Sequence, residues 1–83
     1  MSQPESRLSR KIMGALRAEG IFCFKVHGGP TMVAGPPDII ACVNGRFVGL
    51  EVKVPGQEND VSAVQRHVHS LILKASGEVY VVT

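Results

Sequence analysis

The dipeptide Asn44-Gly45 lies between two apolar runs and constrains the fold of this chain more than any other feature. Both central residues of a type I′ turn need positive φ, which Asn and Gly tolerate, so the arrangement predicts a β-hairpin. If these two residues form the loop, pairing continues outward one residue at a time and sets Asp38 directly opposite Glu51.

This register also predicts which side chains share a face. Directly paired residues of an antiparallel ladder point to one side, with Cβ atoms roughly 4.5–5.5 Å apart. Side chains alternate along a strand, so Lys53 shares the face of Glu51 while Leu50 and Val52 point to the core. Two facing carboxylates repel each other, and a divalent cation between them would remove that cost. The hairpin therefore predicts a metal site, which a bulge near Gly49 would disrupt by shifting the register.

Hydrophobic periodicity, together with residues that favour the start or the end of an element, predicts the other helices and strands. They are a helix over 4–19 capped by Ser2 or Gln3, a strand over 21–27, a mobile surface loop over 28–37, the hairpin over 38–54, a helix over 62–77 and a strand over 78–82. The expected helix stripes are Leu8, Ile12, Ala15 and Leu16, then Val64, Val68, Leu71, Ile72 and Ala75. The first strand is expected to have an apolar face of Phe22, Phe24 and Val26, and a face available for chemistry of Cys23, Lys25 and His27.

The order α-β-β-β-α-β predicts an α/β (α+β) fold in which helices flank a mixed sheet. The helix between the hairpin and the last strand favours parallel pairing there. The nearly all-apolar last strand favours the sheet centre. The 83 residues indicate a single domain, 1–83, with a thin core. A second copy would cover an apolar face or a sheet edge, so we expect a homodimer.

Composition excludes several classes of protein. The chain is 45% hydrophobic and 19% charged, which is typical of globular proteins and unlike disordered ones. It has no apolar run that could span a bilayer and no signal-peptide pattern, so a cytoplasmic location is expected. The net charge of +2 is too small to argue for a nucleic-acid partner by itself. Cys23 and Cys42 lack metal-ligand spacing and are expected to be reduced, buried thiols.

Several short motifs in a fixed order resemble a known nuclease family. Pro37-Asp38, followed a hairpin later by Glu51-Val52-Lys53, matches the pattern of the PD-(D/E)xK nuclease superfamily. The wider layout resembles the VRR-NUC family of virus-type replication-repair nucleases, in particular its small stand-alone phage and bacterial members. That layout consists of Glu5 on the first helix, Lys25-Val26-His27-Gly28, Gly35-Pro36-Pro37-Asp38, Glu51-x-Lys53 and Ser62-x-x-Gln65. The resemblance covers nearly the whole chain and implies a restriction-endonuclease-like core.

The resemblance implies a metal-dependent DNA endonuclease and assigns roles to individual residues. Asp38 and Glu51 look like ligands of Mg²⁺ or Mn²⁺, with the Val52 backbone carbonyl as a further ligand and Glu5 near the metal, directly or through water. Lys53 looks like the residue that orients or deprotonates the attacking water. The glutamine of the second helix, Gln65, is expected beside the catalytic strand.

Physical arguments support part of this assignment. Phosphodiester hydrolysis adds negative charge to a phosphate that is already anionic, so a cation held by carboxylates stabilises the reaction. Neighbouring carboxylates stabilise a protonated lysine, which favours water positioning over base catalysis for Lys53. Glu51 and Lys53 would otherwise form an ordinary ion pair on a strand. A capping box with Ser62 explains Gln65 equally well, and the helix dipole explains Glu5.

Basic residues provide candidates for DNA contact. They are Arg7, Arg10, Lys11, Lys25 and His27, although a solvated surface explains the helical ones as well. His67 and His69 lie two apart on a helix and face different ways, so a shared metal is not expected.

Structure-selective cutting is expected, because the sequence has no helix-turn-helix or zinc finger for reading bases. A homodimer with two-fold symmetry suits branched DNA, in particular a Holliday (four-way) junction with opposed strands. The expected setting is the bacterial cytoplasm, where the chain acts as a bacterial or phage protein. The alternatives are a flap or nicking nuclease, a restriction-like nuclease, a non-catalytic nucleic-acid-binding module, and a structural subunit of a replication complex.

Overall fold

Two helices and a four-stranded sheet make up the computed structural model, which describes residues 4–28 and 33–83. In chain order the elements are α1 (Pro4–Ala18), β1 (Phe22–Lys25), β2 (Ile39–Val43), β3 (Arg46–Val52), α2 (Ala63–Lys74) and β4 (Glu78–Val82). This order and the mixed sheet confirm the predicted fold class. The expected caps Ser2 and Gln3 lie outside the described residues, as does part of the predicted loop, 29–32.

The predicted hairpin and its register are confirmed. Asn44 and Gly45 form the turn with φ of 52° and 79°, the positive values that a type I′ turn requires. β2 and β3 pair antiparallel without a shift from the turn to Ile39 opposite Leu50. Gly49 is paired in the ladder like its neighbours, so no bulge alters the register.

The sheet order is β1-β2-β3-β4, and β4 runs parallel to β3. The parallel pairing confirms the expectation from the α2 crossover. The predicted central position of β4 is wrong, because β4 forms an edge and both Tyr80 and Val81 are exposed. The apolar sequence of β4 indicated a strand paired on both sides. In the part of the chain that the structure describes, β4 is paired only with β3, and its apolar side chains are partly uncovered.

The core lies between α1 and one face of the sheet. Its buried side chains are Met13, Cys23, Ile39, Ala41, Val48, Leu50 and Val52. The predicted stripe residues Leu8, Ile12 and Leu16 pack against this cluster, whereas Ala15 is exposed. Met13 is buried because positions 9, 13 and 16 follow the helical repeat and place this side of α1 on the sheet.

The predicted burial of the two faces of β1 is wrong: the face of Cys23 packs on the core, and the face of Phe22 and Phe24 is exposed. Cys23 is buried in the core, whereas Phe22 and Phe24 are 69% and 45% exposed. β1 pairs Cys23 with Ala41, and paired residues share a face, so Cys23 must join the core side of the sheet. The prediction of buried thiols therefore holds for Cys23 and is wrong for Cys42, which pairs with Phe22 and is exposed.

The described end of the predicted mobile loop is packed against the rest of the fold. Gly35 and Pro36 are half-buried, and Pro37 is fully buried. A Cβ at Gly35 would lie 2.8 Å from side-chain atoms of Val64 and Val68, so α2 packs directly on this backbone. The expectation of a mobile surface loop is wrong for residues 35–37, because α2 and β3 cover them.

α2 begins at the predicted N-cap, Ser62, and ends near the predicted stop. Its expected stripe is only partly covered: Val68 and Ile72 are half-buried, but Val64, Leu71 and Ala75 are exposed, and none of its residues is fully buried. α2 therefore leaves an apolar surface uncovered. Neither described helix has the length and apolar character needed to cross a membrane.

Candidate active site

Asp38 stands at the entry to β2 and is fixed by its neighbours. The ring of Pro37 packs on Gly49 of β3, which places the following residue beside that strand. The Asp38 carboxylate accepts a hydrogen bond from the backbone N–H of Val52 at 2.8 Å. Its backbone carbonyl accepts another from the N–H of Val26, also at 2.8 Å. The position of Asp38 is therefore set by β3 and by the residue that follows β1.

Glu51 lies on the face of the sheet that is turned away from the core, and α2 covers it. It is 1% exposed. Its carboxyl group shares a hydrogen bond with Asp38, accepts another from Nε2 of Gln65 at 3.2 Å, and lies 3.0 Å from Nε2 of His69. Among the described residues, no buried side-chain nitrogen or oxygen lacks a hydrogen-bond partner. The site therefore holds Glu51 through polar contacts with three side chains.

Burial raises the pKa of Glu51 to about 8, and the hydrogen bond and negative charge of Asp38 contribute to the rise. The ammonium group of Lys53 opposes this shift, and the carboxylate of Glu5 adds to it. At neutral pH Glu51 of the metal-free protein therefore holds a proton, which relieves its repulsion with Asp38. Lys53 and Glu5 both lie close enough to act electrostatically on Glu51.

Gln65 makes hydrogen bonds both to the helix cap and to Glu51. Its Oε1 accepts from the backbone N–H of Ser62 at 2.9 Å, and Ser62 Oγ accepts from the N–H of Gln65 at 3.1 Å. These two bonds form the predicted capping box. Its Nε2 is then directed at Glu51. The cap of α2 thus orients a side chain of the site.

His69 was not among the predicted site residues, and the structure places it against Glu51. Burial lowers the pKa of His69, which favours a neutral ring. The sequence contains a signal for this contact, because positions 65 and 69 are four apart and share one side of a helix. His67 is exposed, so the two histidines face different ways.

Lys53 and Glu5 approach the site from different elements. Lys53 follows the end of β3, where its backbone N–H donates to the Val82 carbonyl of β4 at 3.0 Å. Glu5 lies in the first turn of α1 and is exposed. It lines a cleft of about 450 Å³ together with Pro4, Ser6, Lys25, Val54 and Gln57.

Three of the five candidate DNA-binding residues, Arg10, Lys25 and His27, line a series of clefts. A second cleft, of about 440 Å³, shares Ser6 and Lys25 with the first and is also lined by Arg10, Met13 and His27. A third, of about 270 Å³, runs from His27 to Asp38 along the loop. Lys25 also donates from Nζ to the buried Ser9 hydroxyl at 3.4 Å. Arg7 and Lys11 are exposed on α1.

The donor set fits a hard divalent cation with few protein ligands. Within residues 4–28 and 33–83, no three His, Cys, Asp or Glu side chains form a cluster that could hold a metal. Asp38 and Glu51 supply two carboxylates, and Mg²⁺ commonly binds one or two carboxylates while water and substrate oxygens complete its shell. The Val52 side chain is fully buried in the core, and the ligand role of its backbone carbonyl stays a prediction. A cation would take the place of the proton that Glu51 holds.

Comparison with solved structures gives the fold. The chain is similar to the 1.6 Å structure of Hjc, a Holliday junction resolvase from the archaeal hyperthermophile Archaeoglobus fulgidus, with a TM-score of 0.65 and 21% sequence identity. The chain has the restriction-endonuclease-like fold. The match covers 92% of this chain but 64% of the resolvase, so the chain spans less than two thirds of that protein.

The same fold was implied by the resemblance noted in the sequence. No protein-family model and no curated protein matches the chain. The structural comparison confirms the fold alone, and the VRR-NUC family remains a prediction.

Proposed function

We propose that this chain is a metal-dependent DNA endonuclease that hydrolyses phosphodiester bonds in branched DNA. The observation that carries the proposal is the contact between Asp38 and the buried Glu51, with Lys53 directly after the same strand. A paired buried carboxyl with a strongly raised pKa, placed beside a lysine, is typical of a functional site. The restriction-endonuclease-like fold supports the same reaction class.

In this proposal Asp38 and Glu51 hold Mg²⁺ or Mn²⁺ together with the Val52 carbonyl, and Glu5 joins through water. When bound, the cation stabilises negative charge on the phosphate and lowers the pKa of a coordinated water. Lys53 positions the attacking water and adds a second positive charge beside the phosphate. These roles agree with the electrostatic effect that Lys53 and Glu5 both have on Glu51.

Four-way junctions are the proposed substrate, because the fold is similar to that of a Holliday junction resolvase. Such an enzyme would act in the cytoplasm of a bacterial cell, as a bacterial or a phage protein. The connected clefts that run from Glu5 past Lys25 and His27 to Asp38 support a path for one DNA strand. Arg7, Arg10 and Lys11 of α1 would contact phosphates beside that path.

A homodimer is the proposed assembly, and an uncovered apolar surface supports it. We call this the α2 surface; it consists of Phe47, Val68, Leu71, Ile72, Ala75 and Gly77, which surround a depression of about 300 Å³. Phe47 pairs with Cys42, which pairs with Phe22, so the apolar area continues across three strands. A second copy would cover an area that a monomer leaves in water.

The test is cleavage of three labelled substrates, a four-way junction, a flap and a linear duplex, each with Mg²⁺, Mn²⁺ or EDTA. We expect paired cuts in the junction with either metal and none with EDTA. Lys53→Ala should abolish cleavage while DNA binding is retained, because the substitution removes the group beside the attacking water. Lys74→Ala is the matched control, since Lys74 is an exposed lysine at the far end of α2.

The outcomes separate the alternatives. Absence of cleavage of every substrate with both metals would reject the enzyme and leave a nucleic-acid-binding module. Preference for the flap would replace junction resolution by flap cutting, and defined cuts in linear duplex would indicate a restriction-like nuclease. Normal cleavage by Lys53→Ala would show that the role given to Lys53 is wrong.

A further inference from the structure

Both carboxylate oxygens of Glu51 contact side chains of α2. Gln65 Nε2 lies 3.2 Å from Oε2, and His69 Nε2 lies 3.0 Å from Oε1. The His69 side chain is 12% exposed, so its ring stands between α2 and β3 with little contact to water. Each carboxylate oxygen therefore has its own partner on α2.

Helix geometry explains why these two residues act together. Side chains four residues apart lie on the same side of a helix, so positions 65 and 69 reach one point on the sheet. Position 67 lies off that side, and His67 is exposed. α2 thus carries two histidines of which one contacts the site, and the other provides a matched comparison.

The chemistry of a metal-bound carboxylate defines what His69 must do. An ionised carboxylate only accepts hydrogen bonds, so the ring has to present Nε2–H to Oε1. A carboxylate also has lone pairs beyond those used by Gln65 and His69, and these remain available toward Asp38. Hydrogen-bond partners of ligating groups fix their orientation, and their removal typically costs about 10–100-fold in metal affinity or activity.

We propose that His69 is a positioning residue of the metal site, which holds the Glu51 carboxylate toward Asp38 by donating from Nε2 to Oε1. The inference rests on the proposed metal-dependent function. A role in packing alone would appear as lost thermal stability, whereas a positioning role changes the affinity of the folded protein for metal. The two roles therefore give different measurements.

The experiment measures Mn²⁺ binding to the DNA-free protein by electron paramagnetic resonance of the free ion. We expect His69→Ala to raise the Kd for Mn²⁺ by about 10–100-fold. His69→Gln should restore most of the affinity, because its amide places an N–H donor at a similar distance along the side chain. His67→Ala should bind Mn²⁺ like the wild-type protein, and thermal melts of all variants identify those that are folded.

The outcomes distinguish this inference from the proposed function. Equal Mn²⁺ affinity of folded His69→Ala and His67→Ala would overturn the role of His69 while metal binding and the proposed function stand. Failure of the wild-type protein to bind Mn²⁺ would overturn both. Loss of affinity in His69→Gln as severe as in His69→Ala would also contradict a hydrogen-bonding role.

A second measurement needs no substitution in the site. In the wild-type protein labelled with ¹⁵N-histidine, Mg²⁺ should shift the imidazole signals of His69 and leave those of exposed His67 unchanged, because only His69 contacts Glu51. The chain has three histidines, so the His67→Asn and His27→Asn variants together assign the signals. Unchanged His69 signals at saturating Mg²⁺ would contradict the proposal even if His69→Ala does not fold.

Discussion

The ring of Pro37 packs onto the backbone of Gly49, so closely that a Cβ at position 49 would lie 2.5 Å from Cγ of the proline. Pro37 directly precedes Asp38, and Gly49 lies two residues before Glu51. The contact therefore joins the segments that carry the two carboxylates. A glycine in the middle of β3 is required because the Pro37 ring occupies the space that a Cβ would need.

Replacement of Gly49 by alanine should displace Pro37 and with it Asp38. We expect a loss of about 1–3 kcal/mol in the free energy of unfolding, the usual cost of overpacking, measured by urea denaturation. Gly14→Ala is the control, because Gly14 lies within α1 and a Cβ there would meet no atom within 4 Å. That substitution should raise stability by roughly 0.5–1 kcal/mol. Equal stability of Gly49→Ala and the wild-type protein would contradict the contact.

The metal-free protein should lose stability as the pH rises from about 5 to 9, measured as Tm in EDTA. The pKa of Glu51 is about 8 when folded against an ordinary value of 4.5, so the folded state holds its proton more tightly than the unfolded state. The resulting stabilisation is complete below pH 4.5 and is lost as the pH passes through about 8.

Glu51→Gln should remove this pH dependence, because the amide is neutral at every pH in the series. At pH 9 the variant should melt above the wild-type protein, by roughly 4–8 °C for each kcal/mol of the difference. Glu19→Gln, which replaces an exposed carboxylate directly after α1, should keep the wild-type profile. A wild-type Tm that does not vary over this pH range would contradict the protonated state of Glu51.

Gln65 and Ser62 share a capping box, and only Gln65 contacts Glu51, so their alanine variants separate capping from the site. Ser62→Ala should lower the free energy of unfolding by about 0.5–2 kcal/mol, as loss of an N-cap does, and leave junction cleavage close to wild type. Gln65→Ala should lose similar stability and, in addition, about 10–100-fold in cleavage or metal affinity. Equal cleavage by the two variants would indicate that Gln65 acts only as a cap.

Charge placed on the α2 surface should prevent dimerisation. Leu71 lines the depression and is 52% exposed, whereas Leu73 is 56% exposed and does not line it. Leu71→Glu should give a monomer in sedimentation velocity, because burying an unpaired carboxylate is costly. Leu73→Glu, with the same change on another side of α2, should sediment like the wild-type protein. A dimeric Leu71→Glu would locate the interface elsewhere, and a monomeric wild-type protein would reject the homodimer.

Local signals in the sequence were sufficient for the hairpin and the helix ends. Asn44 and Gly45 set the turn by their tolerance of positive φ, and the pairing of β2 with β3 followed from it. Ser62 and Gln65 form the predicted cap by contacts within one helical turn. These features could be predicted because each depends on residues that are neighbours along the chain or across one hairpin.

Long-range packing decided what the sequence left open or indicated wrongly. The edge position of β4 depends on which strands remain unpaired, and the burial of Cys23 depends on its register with β2, which no local pattern encodes. His69 contacts Glu51 because α2 crosses that face of the sheet. The sequence determined the strand register that brings Asp38 and Glu51 together, whereas the tertiary structure decided which side chains of α2 hold Glu51, since that depends on how a helix far along the chain lies on the sheet.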